Sequence, residues 1–273
     1  VTALLTAEAL HVALPDRARK RPFRAAPLIH ILHGVDFAVR AGEAVGIVGE
    51  SGSGKTTLGR ALVRLLAPTA GRITFDGQDI THAPETTLRP LRGRMTMIFQ
   101  NPLSSLNPRR SIAASVAAPL VARGDRNPIA KAVAALERAG LPASLAGRFP
   151  HQLSGGQRQR VGIARAIVTG PAFILADEIV SGLDVATQAQ ILDLLRDLRR
   201  DMGLALAFIT HDLSVVRVLC ERVVVMHQGR IVEAGDTAGV FAAPRHPYTR
   251  RLLSAIPLPE IDDDWLDAEA EEA

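Results

Sequence analysis

Three short stretches of this sequence carry residue types that can hold phosphate and move a proton. The first is Gly49-Glu50-Ser51-Gly52-Ser53-Gly54-Lys55-Thr56, which follows the apolar run Ala44–Val48 and opens the helical stretch Thr56–Leu66. Glycines at this spacing let backbone N–H groups curl around phosphate oxygens, and the helix aims its positive N-terminus at them. Lys55 is placed to reach the β- and γ-phosphates and Thr56 to ligate Mg²⁺, with Thr57 adjoining the same nucleotide site. The second stretch, Phe173-Ile174-Leu175-Ala176-Asp177-Glu178, delivers two carboxylates at the end of an apolar strand, where open α/β sheets place their ligands. Asp177 is positioned to hold Mg²⁺, and Glu178 to orient and deprotonate an attacking water. Standing alone, such a pair reads equally well as a helix N-cap; the phosphate loop upstream decides the reading. The third stretch, Leu153-Ser154-Gly155-Gly156-Gln157, opens a predicted helix over Gly156–Val168 and offers a second anion site from N–H groups and the Ser154 hydroxyl.

The elements that must position these residues alternate between strand and helix. Apolar runs at Ala44–Val48, Met95–Phe99, Phe173–Ala176, Ala205–Ile209 and Val223–Met226 predict buried parallel strands, and Ala186–Met202 predicts an amphipathic helix. The N-terminal part differs. Ala3–Ala13 predicts an edge strand, Pro15–Pro27 a loop, and Ile29–Val39 and Arg72–Phe75 further strands. From Asn101 to Phe149 the sequence turns Ala-rich and helical, with Pro punctuation, as an insertion would.

Composition excludes several classes. The chain has 273 residues, 47% hydrophobic and 22% charged, so it is long enough and apolar enough for a large core. One cysteine, Cys220, excludes a disulfide scaffold, a four-cysteine zinc site and a cysteine-ligated cluster, and suits a reducing compartment. The longest apolar stretch, Ile112–Ala122, is about half a membrane span, and the N-terminus has no signal-peptide pattern. A soluble, cytoplasmic protein is expected. The net charge of +4 conceals an asymmetry: residues 260–273 carry eight acids and no base, leaving +12 on the rest. A basic body suits nucleic acid, an anionic membrane surface, or a phosphate-binding protein with a solvated surface. The cluster Arg17, Arg19, Lys20, Arg21 and Arg24 fits the last of these.

Taken in order, these motifs resemble the ATP-binding subunits of ABC transporters over nearly the whole chain. The family's sequence of P-loop, glutamine loop, signature, Asp-Glu strand, D-loop and switch histidine matches Gly49–Thr56, Gln100, Leu153–Gln157, Asp177–Glu178, Ser181–Asp184 and His211. The resemblance implies that Gln100 bridges Mg²⁺, the attacking water and the membrane subunits, and that His211 contacts the γ-phosphate. It implies a RecA-like P-loop NTPase core of α/β class, with an antiparallel β-subdomain and a helical signature subdomain over about 101–154. Residues 1–258 then form the ATPase domain, with a His-Pro-Tyr segment over about 244–258, and 259–273 a disordered acidic tail. Two stretches, Phe99–Arg109 and His246-Pro247-Tyr248-Thr249-Arg250-Arg251-Leu252-Leu253, are similar to the peptide/nickel importer branch.

The resemblance implies import of peptides or a nickel-like metal complex, from the cytoplasmic face of the membrane. ATP and Mg²⁺ are the cofactors. The partners are a second ATPase subunit, a paralogue closing head-to-tail; two transmembrane permease subunits; and, indirectly, an extracytoplasmic solute-binding protein. The alternative is a soluble ABC ATPase of DNA repair or translation. Against it stand the single cassette and the 99 positions between Lys55 and Ser154, too few for a coiled coil and without cysteine for a zinc module. Three positions depart from the family pattern. Leu14 stands where a tyrosine commonly stacks adenine, leaving Phe23, His30 or His33 as substitutes; Ile179 follows Asp-Glu in place of Pro or Ala; Gly182 replaces the D-loop alanine.

Overall fold

The computed structural model describes residues 3–16, 26–100 and 106–255. The basic cluster at 17–24, Phe23, the stretch 101–105 and the acidic tail lie outside the described residues. Two sheets organise the chain. The first has four antiparallel strands in the order β2-β1-β4-β5: β1 (Ala3–Pro15), β2 (Leu28–Arg40), β4 (Ala70–Phe75) and β5 (Gln78–Asp79). The second has six strands in the order β10-β9-β3-β8-β7-β6: β3 (Ala44–Val48), β6 (Met95–Ile98), β7 (Phe173–Asp177), β8 (Ala205–Ile209), β9 (Arg222–His227) and β10 (Arg230–Asp236). Neighbours run parallel except the β9–β10 hairpin at one edge. Every residue of β3, β7 and β8 is buried, as strands covered on both faces must be, which is why they read as unbroken apolar runs.

Two corrections to the sequence reading concern ends and edges. β1 is an interior strand, paired with β2 on one side and β4 on the other. Its weak alternation arises at a bulge: Ala9 takes a positive φ of 45°, the register shifts there, and Asp36 Oδ1 accepts the freed Ala9 N–H at 2.7 Å. The helix after the P-loop, α1 (Lys55–Leu62), stops a turn before the predicted Leu66. Arg64 takes φ 54°, and the N–H groups of Leu65 and Leu66 turn back to Arg60 O. The helix-end carbonyls are covered from outside: Arg92 donates to Val63 O at 2.7 Å and to Arg64 O at 3.0 Å. Arg92 itself follows α2 (Glu85–Leu91), a short helix that the sequence reading left out.

Between β6 and β7 the described residues form three α-helices: α3 (Ile112–Ala122), α4 (Pro128–Arg138) and α5 (Gly155–Ile167). They pack on one another and share a core with one face of the parallel sheet, through Ile98, Ile174 and Phe208. The antiparallel sheet shares its own core with α1 and the opposite face, through Ile47, Leu175 and Ile209. The remaining helices are α6 (Val185–Met202), α7 (Leu213–Leu219), α8 (Thr237–Ala242) and α9 (Pro247–Ser254). No helix among the described residues is long and apolar enough to cross a membrane.

Candidate functional site

The four parallel strands β3, β8, β7 and β6 end along one edge of the sheet. Their register aligns Ile47 with Ile209, Asp177 with Ile209, and Ile98 with Ala176. Segments far apart in sequence therefore emerge side by side: the P-loop after β3, His211 after β8, Asp177-Glu178 at the end of β7, Gln100 after β6.

The P-loop has an inner and an outer side. A cavity of about 380 Å³ is lined by Ser51, Gly52, Gly54, Lys55, Thr56 and Thr57, together with Ile31, Gln100 and Glu178. Gly49, Glu50 and Ser53 do not line it; they form the support underneath. A Cβ on Gly49 would lie 2.2 Å from Met226 O, so only glycine lets the loop leave β3 against β9. Lys55 is buried and donates to Gly49 O at 2.7 Å and Glu50 O at 2.8 Å. Burial lowers its ammonium pKa, against the opposing pull of Glu178, Asp177 and Glu50. Asp177 shows the converse. Burial raises its carboxyl, Thr56 partly offsets this by donating Oγ1 to Oδ1 at 3.1 Å, and the nearby Glu178 raises it further. Burial thus displaces both the cation and the carboxylate toward their neutral forms. The oxygens of Thr56 and Asp177 are hard donors of the type Mg²⁺ takes, so the residues fit that ion.

Glu178 sits at a turn. Its φ is 49°, a left-handed conformation costing a non-glycine residue about 1–2 kcal/mol, and its N–H donates to Ile209 O at 2.9 Å. The hydroxyl of Ser181 donates to Glu178 O at 2.9 Å and fixes the turn. Gln100 holds the carboxylate and His211 stands near it. Gln100 Nε2 donates to Oε2 at 2.7 Å, and His211 Nδ1 stands 3.8 Å from Oε1. A carboxylate oriented by an amide, with an imidazole nearby, at the edge of the P-loop cavity can position a water and take its proton.

The third motif lies elsewhere. Ser154 caps α5 and accepts from Gln157 N at 3.2 Å, while Gln157 Oε1 accepts from Ser154 N at 3.0 Å. Gly155 opens the helix and Gly156 follows; a Cβ on Gly156 would strike Thr187 Cγ2 at 2.7 Å, so glycine admits the start of α6. None of Ser154, Gly155, Gly156 and Gln157 lines the P-loop cavity. The structure thus joins Lys55, Thr56, Asp177, Gln100, Glu178 and His211 and leaves the signature loop apart.

The departures find physical reasons. Gly182 has φ 76°, where alanine would be strained. Ile179 is buried in the core. Leu14 is only partly buried, and His30 and His33 stack 6.3 Å apart on β2, flanking Ile31 at the cavity. Sequence reasoning missed Ile31. It also missed Tyr248, whose hydroxyl accepts from Glu50 N at 2.9 Å across 198 positions, and no local signal could have found that contact.

Known proteins fit this geometry. Residues 32–181 match the ABC transporter family model, and residues 232–273 match the C-terminal region of oligopeptide/dipeptide transporters. A Brucella ovis protein named as a peptide import ATP-binding protein is 49% identical over 237 residues, 86% of this chain and 75% of that protein. The glutathione import ATP-binding protein GsiA of Shigella dysenteriae is 47% identical over 85% of this chain and 38% of its own length. Among solved structures, the dimeric, post-hydrolysis ATP-binding cassette MJ0796 bound to ADP and Pi aligns with a TM-score of 0.74 and 29% identity, covering 85% and 98% of the two chains. CbiO1 of Clostridium perfringens, part of the transporter complex cbiONQ, aligns with a TM-score of 0.74 and 30% identity, covering 89% and 92%. The P-loop, the Asp-Glu strand end and the C-terminal His-Pro-Tyr segment thus lie in one cassette, and the chain belongs to the ABC transporter family.

Proposed function

We propose that this chain binds and hydrolyses ATP to drive peptide import through partner membrane subunits. The observation that carries the reading is the placement of Glu178, hydrogen-bonded by Gln100 and with His211 nearby, at the P-loop cavity. In this reading the N–H groups of Ser51, Gly52 and Gly54 and the ammonium of Lys55 bind the phosphates, with Gly49, Glu50 and Ser53 as their support. Thr56, Asp177 and the Gln100 oxygen would hold Mg²⁺, which when bound neutralises charge on the β- and γ-phosphates. Glu178 orients the attacking water and takes its proton, and His211 supports the γ-phosphate side.

Ser154, Gly155, Gly156 and Gln157 serve the nucleotide of a second cassette closing head-to-tail. Their distance from this chain's own cavity supports that arrangement. So does Val185, which is 85% exposed at the start of α6 beside Gly182. Permease subunits dock at a groove of about 460 Å³ lined by Leu65, Met97, Phe99 and Pro119. Phe99 adjoins Gln100, so docking and the Glu178 contact share one loop. This places the subunit at the inner membrane face, with 1–258 as the ATPase unit and the helical part over about 101–154. The names of the relatives support peptides rather than a nickel complex as cargo, and lend nothing to the nucleic-acid reading. The test is turnover of Mg-ATP by the subunit assembled with its permease. Loss on Glu178→Gln with nucleotide affinity retained supports the reading, and full activity in that variant refutes it.

A further inference from the structure

The His-Pro-Tyr segment does more than pack. Glu233 of β10 accepts from Arg245 N at 2.8 Å and His246 N at 3.0 Å, pinning the chain just before α9. His246 Nδ1 accepts from Tyr248 N at 3.2 Å and so caps the helix, and Pro247 takes the first helical position, where no N–H is needed. With its backbone so fixed, Tyr248 is buried to 2% exposure, its ring tilted on His227 with centroids 4.0 Å apart. Its hydroxyl accepts from Glu50 N at 2.9 Å.

That N–H belongs to the same peptide unit as Gly49 C=O, and Gly49 O is held by Lys55 Nζ at 2.7 Å. The N–H and C=O of a trans peptide point in opposite directions. One peptide plane is therefore clamped between Lys55 above and Tyr248 below. Two of the three N–H donors of the Lys55 ammonium are spent on Gly49 O and Glu50 O, so a phosphate that engages the third pulls on the same peptide plane from above. Met226 O blocks one side at Gly49, leaving Tyr248 as the side chain that keeps the plane from turning.

We propose that Tyr248 is a positioning residue for the P-loop, holding the Gly49–Glu50 peptide so that Lys55, anchored on it, is presented to nucleotide phosphate. This rests on the ATPase reading above. The C-terminal region thereby contributes to nucleotide affinity in its own chain without touching the nucleotide.

The test is Tyr248→Phe in the full chain, which keeps the ring and removes the hydroxyl. We expect Mg-ATP affinity about tenfold weaker, with turnover at saturating ATP within about twofold of the parent. In the Lys55→Ala background the same change should add less than about twofold, because the lysine it serves is gone. Unchanged affinity in Tyr248→Phe, or the same tenfold loss in both backgrounds, overturns the proposal. Tyr248 is the sole tyrosine of the sequence, so 3-fluorotyrosine labels this site alone and needs no folding variant. Saturating Mg-ATP should shift its ¹⁹F resonance, and an unmoved resonance likewise overturns the proposal. A parent chain that binds no nucleotide overturns the ATPase reading as well, whereas normal parent binding with an indifferent Tyr248→Phe overturns this inference alone.

Discussion

Two glycine-rich turns open helices in this molecule, and they are finished differently. The P-loop ends in Lys55, faces a cavity shared with Glu178 and Gln100, and has buried groups whose charges are incompletely matched. The Ser154–Gln157 turn has no cation of its own, closes its first donors with a reciprocal capping box, and lies exposed against α6. The same local chemistry, N–H groups at a helix start, lines a cavity in one place and stands apart from it in the other. In the head-to-tail reading proposed above, the second turn is completed by the nucleotide of a second cassette.

The largest effect should come from removing the cation that distinguishes the first turn. Lys55→Ala should abolish turnover and weaken nucleotide binding more than a hundredfold while circular dichroism stays native; retained affinity would break the comparison at its first term. Glu178→Gln should bind Mg-ATP with near-native affinity and hydrolyse it at least about a hundredfold more slowly, since an amide can orient a water but not accept its proton. If that variant keeps a tenth of parental turnover while His211→Ala is inactive, the base is His211. Ser154→Arg sharpens the contrast. Binding by the isolated subunit should change less than about threefold, yet ATP-dependent pairing, followed by light scattering in the Glu178→Gln background, should disappear. Equal loss of binding in the isolated subunit would place both turns in one site.

The smallest effect is on stability. Burial raises the Asp177 carboxyl, so the folded chain is favoured while that group is protonated, and this contribution is lost as pH rises through its folded-state value. Above that point the chain bears a buried carboxylate that Thr56, Arg60 and Lys55 only partly offset. Asp177→Asn, which keeps an oxygen for Thr56, should raise Tm by about 2–4 °C at pH 7.5 without nucleotide or Mg²⁺. The gain should vanish below the carboxylate range. A lower Tm at pH 7.5 would show the carboxylate to be already compensated.

The parts legible in the sequence are those where one residue's environment is set locally. Strands buried on both faces must be continuously apolar, so Ala44–Val48 and Ala205–Ile209 could be read to the residue. Gly-Lys-Thr at a strand-to-helix turn has few other uses, so the cavity was visible too. What escaped depends on residues brought from elsewhere. The end of α1 was illegible because Leu65 and Leu66 continue the apolar pattern while the stop is made by Arg64 and by Arg92, 28 positions on. The interior place of β1 was hidden by its bulge at Ala9. Tyr248 read as ordinary packing because its partner, Glu50, is supplied by topology alone.

The cover that Arg92 places over the end of α1 has a mechanical consequence. Val63 and Arg92 both line the groove beside Phe99, so the far end of α1 is part of that groove's wall. An eight-residue helix is about 12 Å long and does not shorten under load as a loop would. The helix is a strut: Lys55 stands at one end, and whatever fills the groove bears on the other. If a permease subunit fills that groove as proposed, its force reaches the P-loop by two routes, one through Phe99 to Gln100 and one along α1.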